Sequence, residues 1–186
     1  MGINLLLIDL GSPHNIGRII RESHDLGGNH CQLFIYDPRN ILVENRDGIN
    51  LTSMERGSYQ IVENLEPFLR EYTGKLVATD ITSDALPHHD FGWQENDLIL
   101  LGNENRGYRD KDLKTHQGIE LVQHRVVIPM LGVACPVPDR KNVVPNDHSD
   151  YPNISVASSA AIILSEALYK RGYYKCFNLH TLRMQQ

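Results

Sequence analysis

The chain has 186 residues, 41% of them hydrophobic and 22% charged, which is enough apolar material for one domain with a substantial core. A formal net charge of −5 argues against a protein that coats nucleic acid by sheer positive charge, and no apolar run reaches the length of a membrane span. The three cysteines, Cys31, Cys135 and Cys176, are odd in number and widely spaced with no CxxC, which reads as reduced thiols in a cytoplasmic protein.

In chain order, the first expected element is a buried strand, INLLLIDL at 3–10. It lacks the basic stretch and small-residue cleavage site of a signal peptide. NIGRIIRESHDLGG at 15–28 follows at helical spacing, with Asn15 as its cap, Ile16, Ile19, Ile20 and Ser23 on one side, and a glycine pair as its stop. CQLFIYD at 31–37 reads as a second strand, and 38–58 as irregular. IVENLEPFLREYTG at 61–74 reads as a helix if Pro67 falls in its first turn. KLVATD (75–80), DLILLGNE (97–104) and HRVVIPM (124–130) are three further strands. Residues 131–152, with four prolines, form a long irregular insertion. NISVASSAAIILSEALYK at 153–170 is a helix by the spacing of Ala157, Ala160, Ala161, Leu164 and Leu168, and a basic tail occupies 170–186. Strands alternating with helices predict a single α/β domain over 1–186, a mainly parallel sheet with helices on both faces.

In such sheets ligands bind beyond the carboxyl ends of the strands. Four polar clusters stand at those ends: Ser12 to Gly17 running on to Arg21, Gly102 to Gly107, Ile128 to Met130, and the start of the last helix at Asn153. The common nucleotide motifs fail there. Gly102 to Gly107 has P-loop glycine spacing, but Tyr108-Arg109 stands where Lys-Ser/Thr is needed. No GxGxxG follows the first strand and no GxSxG is present. His88-His89-Asp90 has no partner placed by spacing, so a solvent loop is the better reading than a metal site. Each cluster taken alone has a structural explanation: Asn15 as a cap, Glu104 as a turn residue, Met130 as core, Arg21 as an exposed helix residue. Their occurrence together and in order is what points to a site.

That ordered set resembles the SpoU (TrmH-like) branch of the SPOUT RNA methyltransferases. Asn15-Ile16-Gly17 with Arg21 and Gly27 is similar to the family's first motif, Leu101 to Gly107 to its second, and Ile128-Pro129-Met130 with Asn153 to Ala157 to its third. The resemblance implies a C-terminal trefoil knot, a homodimer, and S-adenosyl-L-methionine held near Thr79, Gly102, Ile128, Met130, Ile154 and Ser155. It further implies methyl transfer to a ribose 2′-hydroxyl of RNA. Arg21 is then the positioning guanidinium, Asn15, Glu104 and Asn153 shape the catalytic site, and no metal takes part. The chain departs from the pattern between Met130 and Asn153, where the family's connection is short and here it is long. With no added RNA-binding domain expected, a small structured RNA is implied, tRNA ahead of ribosomal RNA. The competing expectation is a catalytically inactive knotted dimer that binds RNA or a protein partner.

Overall fold

The computed structural model describes residues 2–44, 58–129 and 154–176. Among them, seven strands form one sheet: β1 (Asn4–Ile8), β2 (Leu33–Tyr36), β3 (Tyr59–Ile61), β4 (Leu76–Thr79), β5 (Leu86–Pro87), β6 (Leu98–Leu101) and β7 (His124–Val127). Their order across the sheet is β3-β2-β1-β6-β4-β7-β5, and every pairing is parallel. The α/β expectation therefore holds, and all carboxyl ends lie along one edge of the sheet.

The central strands are apolar at consecutive positions because both of their faces are covered. Leu5 and Leu7 of β1 and Ile99 and Leu101 of β6 join one core cluster, and Leu6, Ile8, Leu98 and Leu100 join another. Helix α1 (Pro13–Gly27) packs against the long C-terminal helix, α5 (Val156–Lys170). Together they cover the first face with Ile16, Ile19, Ile20, Ala160, Ile163 and Leu164. The small side chains of Ala157, Ala160 and Ala167 on α5, all essentially buried, let that helix lie close. The second face is covered by Leu65 and Leu69 of α3 (Leu65–Glu71) and by Leu113 of α4 (Asp110–Leu113). A further short helix, α2 (Ile41–Glu44), follows β2.

Three boundaries differ from the sequence expectation. Helix α1 starts two residues early, at Pro13, and its cap is Ser12, whose hydroxyl accepts the Asn15 N–H; Asn15 is not the cap. Proline suits the first helical position, where the N–H has no intrahelical partner. The segment 61–74 is shorter as a helix, because Tyr59–Ile61 pairs with β2 as an edge strand and α3 begins only at Leu65. Pro67 does fall in its first turn. Helix α5 begins at Val156 with Ser155 as cap, three residues later than the apolar spacing indicated. Strands β3 and β5, three and two residues long, were too short to leave a pattern. The C-terminal knot implied by the resemblance depends on the path of residues 130–153, which lie outside the described residues. Among the described residues no helix is long and apolar enough to cross a membrane.

Candidate active site

A cavity of about 470 Å³ opens at the carboxyl ends of β4, β6 and β7. Thr79, Gly102 and Ile128 line it from the strand ends, and Ile154, Ser155 and Ser159 from the start of α5. Asn15 and Glu104 form a further part of its wall. Seven residues singled out from sequence therefore meet in one place: Asn15, Thr79, Gly102, Glu104, Ile128, Ile154 and Ser155. Arg21 does not line the cavity; it is half-buried on α1, and its side chain has no hydrogen-bond or ion-pair partner among the described residues. Met130 and Asn153 lie outside the described residues.

The floor is built from backbone. β6 ends at Leu101, and the chain closes a tight loop in which Asn103 and Gly107 exchange N–H···O bonds of 3.1 and 2.8 Å. Gly107 takes φ 63°, a left-handed conformation that favours glycine. Gly102 must also be small: a Cβ there would lie 2.9 Å from the Gly107 carbonyl carbon and 3.1 Å from Tyr108 Cδ1. Beneath the loop, the Tyr108 hydroxyl donates to the Leu100 carbonyl and accepts the Thr79 N–H at 3.1 Å. Thr79 Oγ1 donates to the same carbonyl at 2.9 Å. Burial pushes the Tyr108 hydroxyl well above its usual range, so it stays protonated and acts as a strut between the ends of β4 and β6.

Glu104 joins the two loops that flank the β1–β6 junction. Its carboxylate accepts from Gly11 N at 2.7 Å, Ser12 N at 3.1 Å and Asn15 Nδ2 at 3.0 Å. The backbone amides of Gly11 and Ser12, which lead into α1, are thus engaged by the chain's own carboxylate. Asn15 reaches the cavity wall held by that contact. At the opposite wall, Ser155 Oγ accepts the Ser158 N–H at 3.2 Å and donates to Ser158 Oγ at 3.0 Å. The polar first turn of α5 is therefore at once a cap and a lining.

One residue at this edge escaped the sequence reading. Asp9, the first residue after β1, is 1% exposed and sits at φ 53°. Its carboxylate pairs with Arg39 at 2.6 Å, with Arg109 at 3.0 Å and with Arg106. Its carbonyl accepts from Asn103 Nδ2 at 2.7 Å and from Arg39 Nη2 at 2.9 Å. The available signal was a lone acidic residue closing an otherwise apolar strand. Among the described residues, no three His, Cys, Asp or Glu side chains converge as metal ligands.

Comparison with known proteins agrees with this geometry. A tRNA (cytidine(34)-2'-O)-methyltransferase from Methylovorus glucosotrophus (strain SIP3-4) is 26% identical over 159 residues, covering 83% of this chain and 86% of that protein. Among solved structures, the A. aeolicus TrmH/SpoU tRNA modifying enzyme superposes with a TM-score of 0.67 at 19% identity, covering 93% of this chain and 77% of that one. A structure describing 2-OH methylation of C/U34 on tRNA gives a TM-score of 0.65 at 18% identity, covering 91% of each chain. The SpoU methyltransferase AviRb of Streptomyces viridochromogenes, in complex with the cofactor AdoMet, gives 0.61 at 24% identity, covering 92% of this chain and 61% of that one. The family model described as SpoU rRNA Methylase matches residues 2–134, and on that match, joined to the parallel sheet and its strand-end cavity, the chain belongs to the SpoU methylase family.

Proposed function

We propose that the chain is an S-adenosyl-L-methionine-dependent RNA 2′-O-ribose methyltransferase acting on tRNA. The observation that carries this reading is the meeting of Thr79, Gly102, Glu104, Ile128 and Ser155 on one strand-end cavity. Its 470 Å³ lies within the roughly 300–1,000 Å³ usual for small-ligand and cofactor sites. The residues fit the proposed cofactor. Val126, Ile128, Ile154 and Ile163 offer an apolar wall to an adenine ring, and Gly102 lines the cavity without a side chain. Thr79, Asn103 and Ser155 add polar residues to its lining.

When bound, S-adenosyl-L-methionine supplies an electrophilic sulfonium methyl. The protein's own tasks are to align the attacking hydroxyl and to favour loss of its proton. Glu104, committed to three N–H donors, holds the wall and Asn15 in place. Asn15 shapes the space for the ribose, a role the family resemblance also implies for Asn153. Arg21 lies outside the cavity wall with no partner among the described residues, and in this reading it faces the RNA. There it meets a phosphate and stabilises developing negative charge on the 2′-oxygen. A guanidinium stays protonated, so its role is electrostatic and not that of a base.

The working form is proposed to be a cytoplasmic homodimer. In support, α5 leaves Ile162 and Tyr169 exposed, at 39% and 68%. The test begins with calorimetric titration by S-adenosylmethionine and S-adenosylhomocysteine, followed by methyl transfer to tRNA transcripts, with the ribose at position 34 examined first. Arg21→Ala is expected to lower transfer at least about 100-fold while leaving cofactor affinity within twofold. Transfer at the wild-type rate in Arg21→Ala removes it from the mechanism. A folded wild-type chain that binds tRNA but no cofactor at millimolar concentration makes the protein a non-catalytic binder.

A further inference from the structure

We infer that Arg39, Arg106 and Arg109, gathered on Asp9, form a binding site for a phosphodiester of the RNA that flanks the reacting nucleotide; this rests on the methyltransferase reading above. Arg39 comes from the loop after β2, and Arg106 and Arg109 from the loop after β6. They meet at the carboxyl end of β1, beside the cavity. A Cβ built on Gly11 would lie 3.5 Å from the Glu104 carboxylate and 3.6 Å from Arg39 Nη2, so the cluster adjoins the Glu104 wall.

The stoichiometry is what calls for a ligand. A buried Asp9 needs one guanidinium for neutrality, and three mutually repelling cations are gathered there. Among the described residues Asp112, which engages Arg109, is the only other carboxylate paired with the three, so three guanidinium groups share two paired carboxylates, with Glu104 adjoining but bound to backbone amides and Asn15. The side chains of Arg39, Arg106 and Arg109 keep 43%, 36% and 33% of their surface exposed. Their bonds to Asp9 and Asp112 run through Nε and Nη2, and no Nη1 has a partner among the described residues. Each guanidinium has five donors. Asp9 therefore fixes the three forks from behind and leaves donors facing solvent, an arrangement suited to phosphate oxygens. None of the three lines the cavity, which separates them from the cofactor. A chain with a net charge of −5 needs such a local concentration to hold a polyanion.

Arg39→Gln and Arg106→Gln test the site, since each leaves two guanidinium groups on Asp9; Arg39→Lys keeps the charge and loses the fork. Binding of a tRNA transcript is measured from 50 to 300 mM KCl, with S-adenosylhomocysteine affinity and melting temperature measured alongside. Each Gln variant is expected to weaken tRNA binding about three- to tenfold and to flatten the slope of log K against log salt by about 0.7–0.9. Arg39→Lys is expected to restore the slope, and cofactor affinity to stay within twofold throughout. An unchanged slope in folded Gln variants, while the wild type binds tRNA, overturns the site alone. Loss of S-adenosylhomocysteine affinity in those variants reassigns the cluster to the cofactor carboxylate and also overturns it. A wild-type chain that binds no tRNA overturns the function and this site together.

Discussion

Replacing Glu104 with glutamine isolates the contact that ties the β6 loop to the β1–α1 loop. The change keeps the side chain's length and shape and removes its charge. Oε2 accepts from Gly11 N at 2.7 Å, and Oε1 from Ser12 N at 3.1 Å and Asn15 Nδ2 at 3.0 Å. Glutamine retains one oxygen, which can keep the two bonds to Ser12 and Asn15. Its amide nitrogen must then face the Gly11 N–H, donor against donor. One charge-assisted bond is lost outright and two are weakened to neutral ones. At roughly 1.5–3 kcal/mol for a bond to a charged group, discounted for partial exposure, the expected loss is about 2 kcal/mol. In a chain of this size that lowers the melting temperature by about 4–8 °C. Because Asn15 and Glu104 line the cavity, S-adenosylhomocysteine affinity should fall with it. Thermal unfolding followed by circular dichroism, with calorimetric titration of each variant, reads both quantities. A Glu104→Gln protein melting within 1 °C of wild type, with unaltered cofactor affinity, would refute the account of this residue as the tie between the loops.

Gly102→Ala places a methyl 2.9 Å from the Gly107 carbonyl carbon, so the loop must shift; we expect about 1–3 kcal/mol of destabilisation and at least tenfold weaker cofactor binding in the same titration. Ser155→Ala removes the cap of α5 and should cost about 1 kcal/mol, or about 2–4 °C, with a smaller effect on cofactor affinity than Gly102→Ala. Asp97 is 1% exposed, and burial holds its carboxyl above the usual carboxylate range. The native state therefore keeps this proton to higher pH than the unfolded chain does, and the resulting penalty is absent below the unfolded value near about 4 and complete above the raised native one. Asp97→Asn should accordingly melt higher than wild type at about pH 8, and the gap should close as pH falls toward about 3.5; a gap independent of pH would contradict the assignment.

The apolar runs of β1, β2, β4, β6 and β7 were legible because strands covered on both faces are apolar at consecutive positions, a signal that survives without any knowledge of neighbours. Pro67 and the Gly27-Gly28 pair marked a helix start and a helix end by local sterics alone. That seven candidate residues would meet at the strand ends was also legible, since strand-end placement follows from parallel topology and the motif order did the rest. Cap identity was not, because Ser12 and Asn15 are both good caps and the choice depends on Pro13 entering the helix and on Glu104 claiming the Asn15 side chain from 89 residues away. The same holds for the Tyr108 strut and for Asp9. Residue types give charge and size, but pairing Asp9 with Arg39, Arg106 and Arg109 requires β1 to lie between β2 and β6, and only the strand order decides that. The sequence by itself determined which segments are buried and where polar groups stop them. The tertiary structure alone decided which of those polar groups meet, because hydrogen bonds and ion pairs act over a few ångströms in space while sequence pattern acts only along the chain.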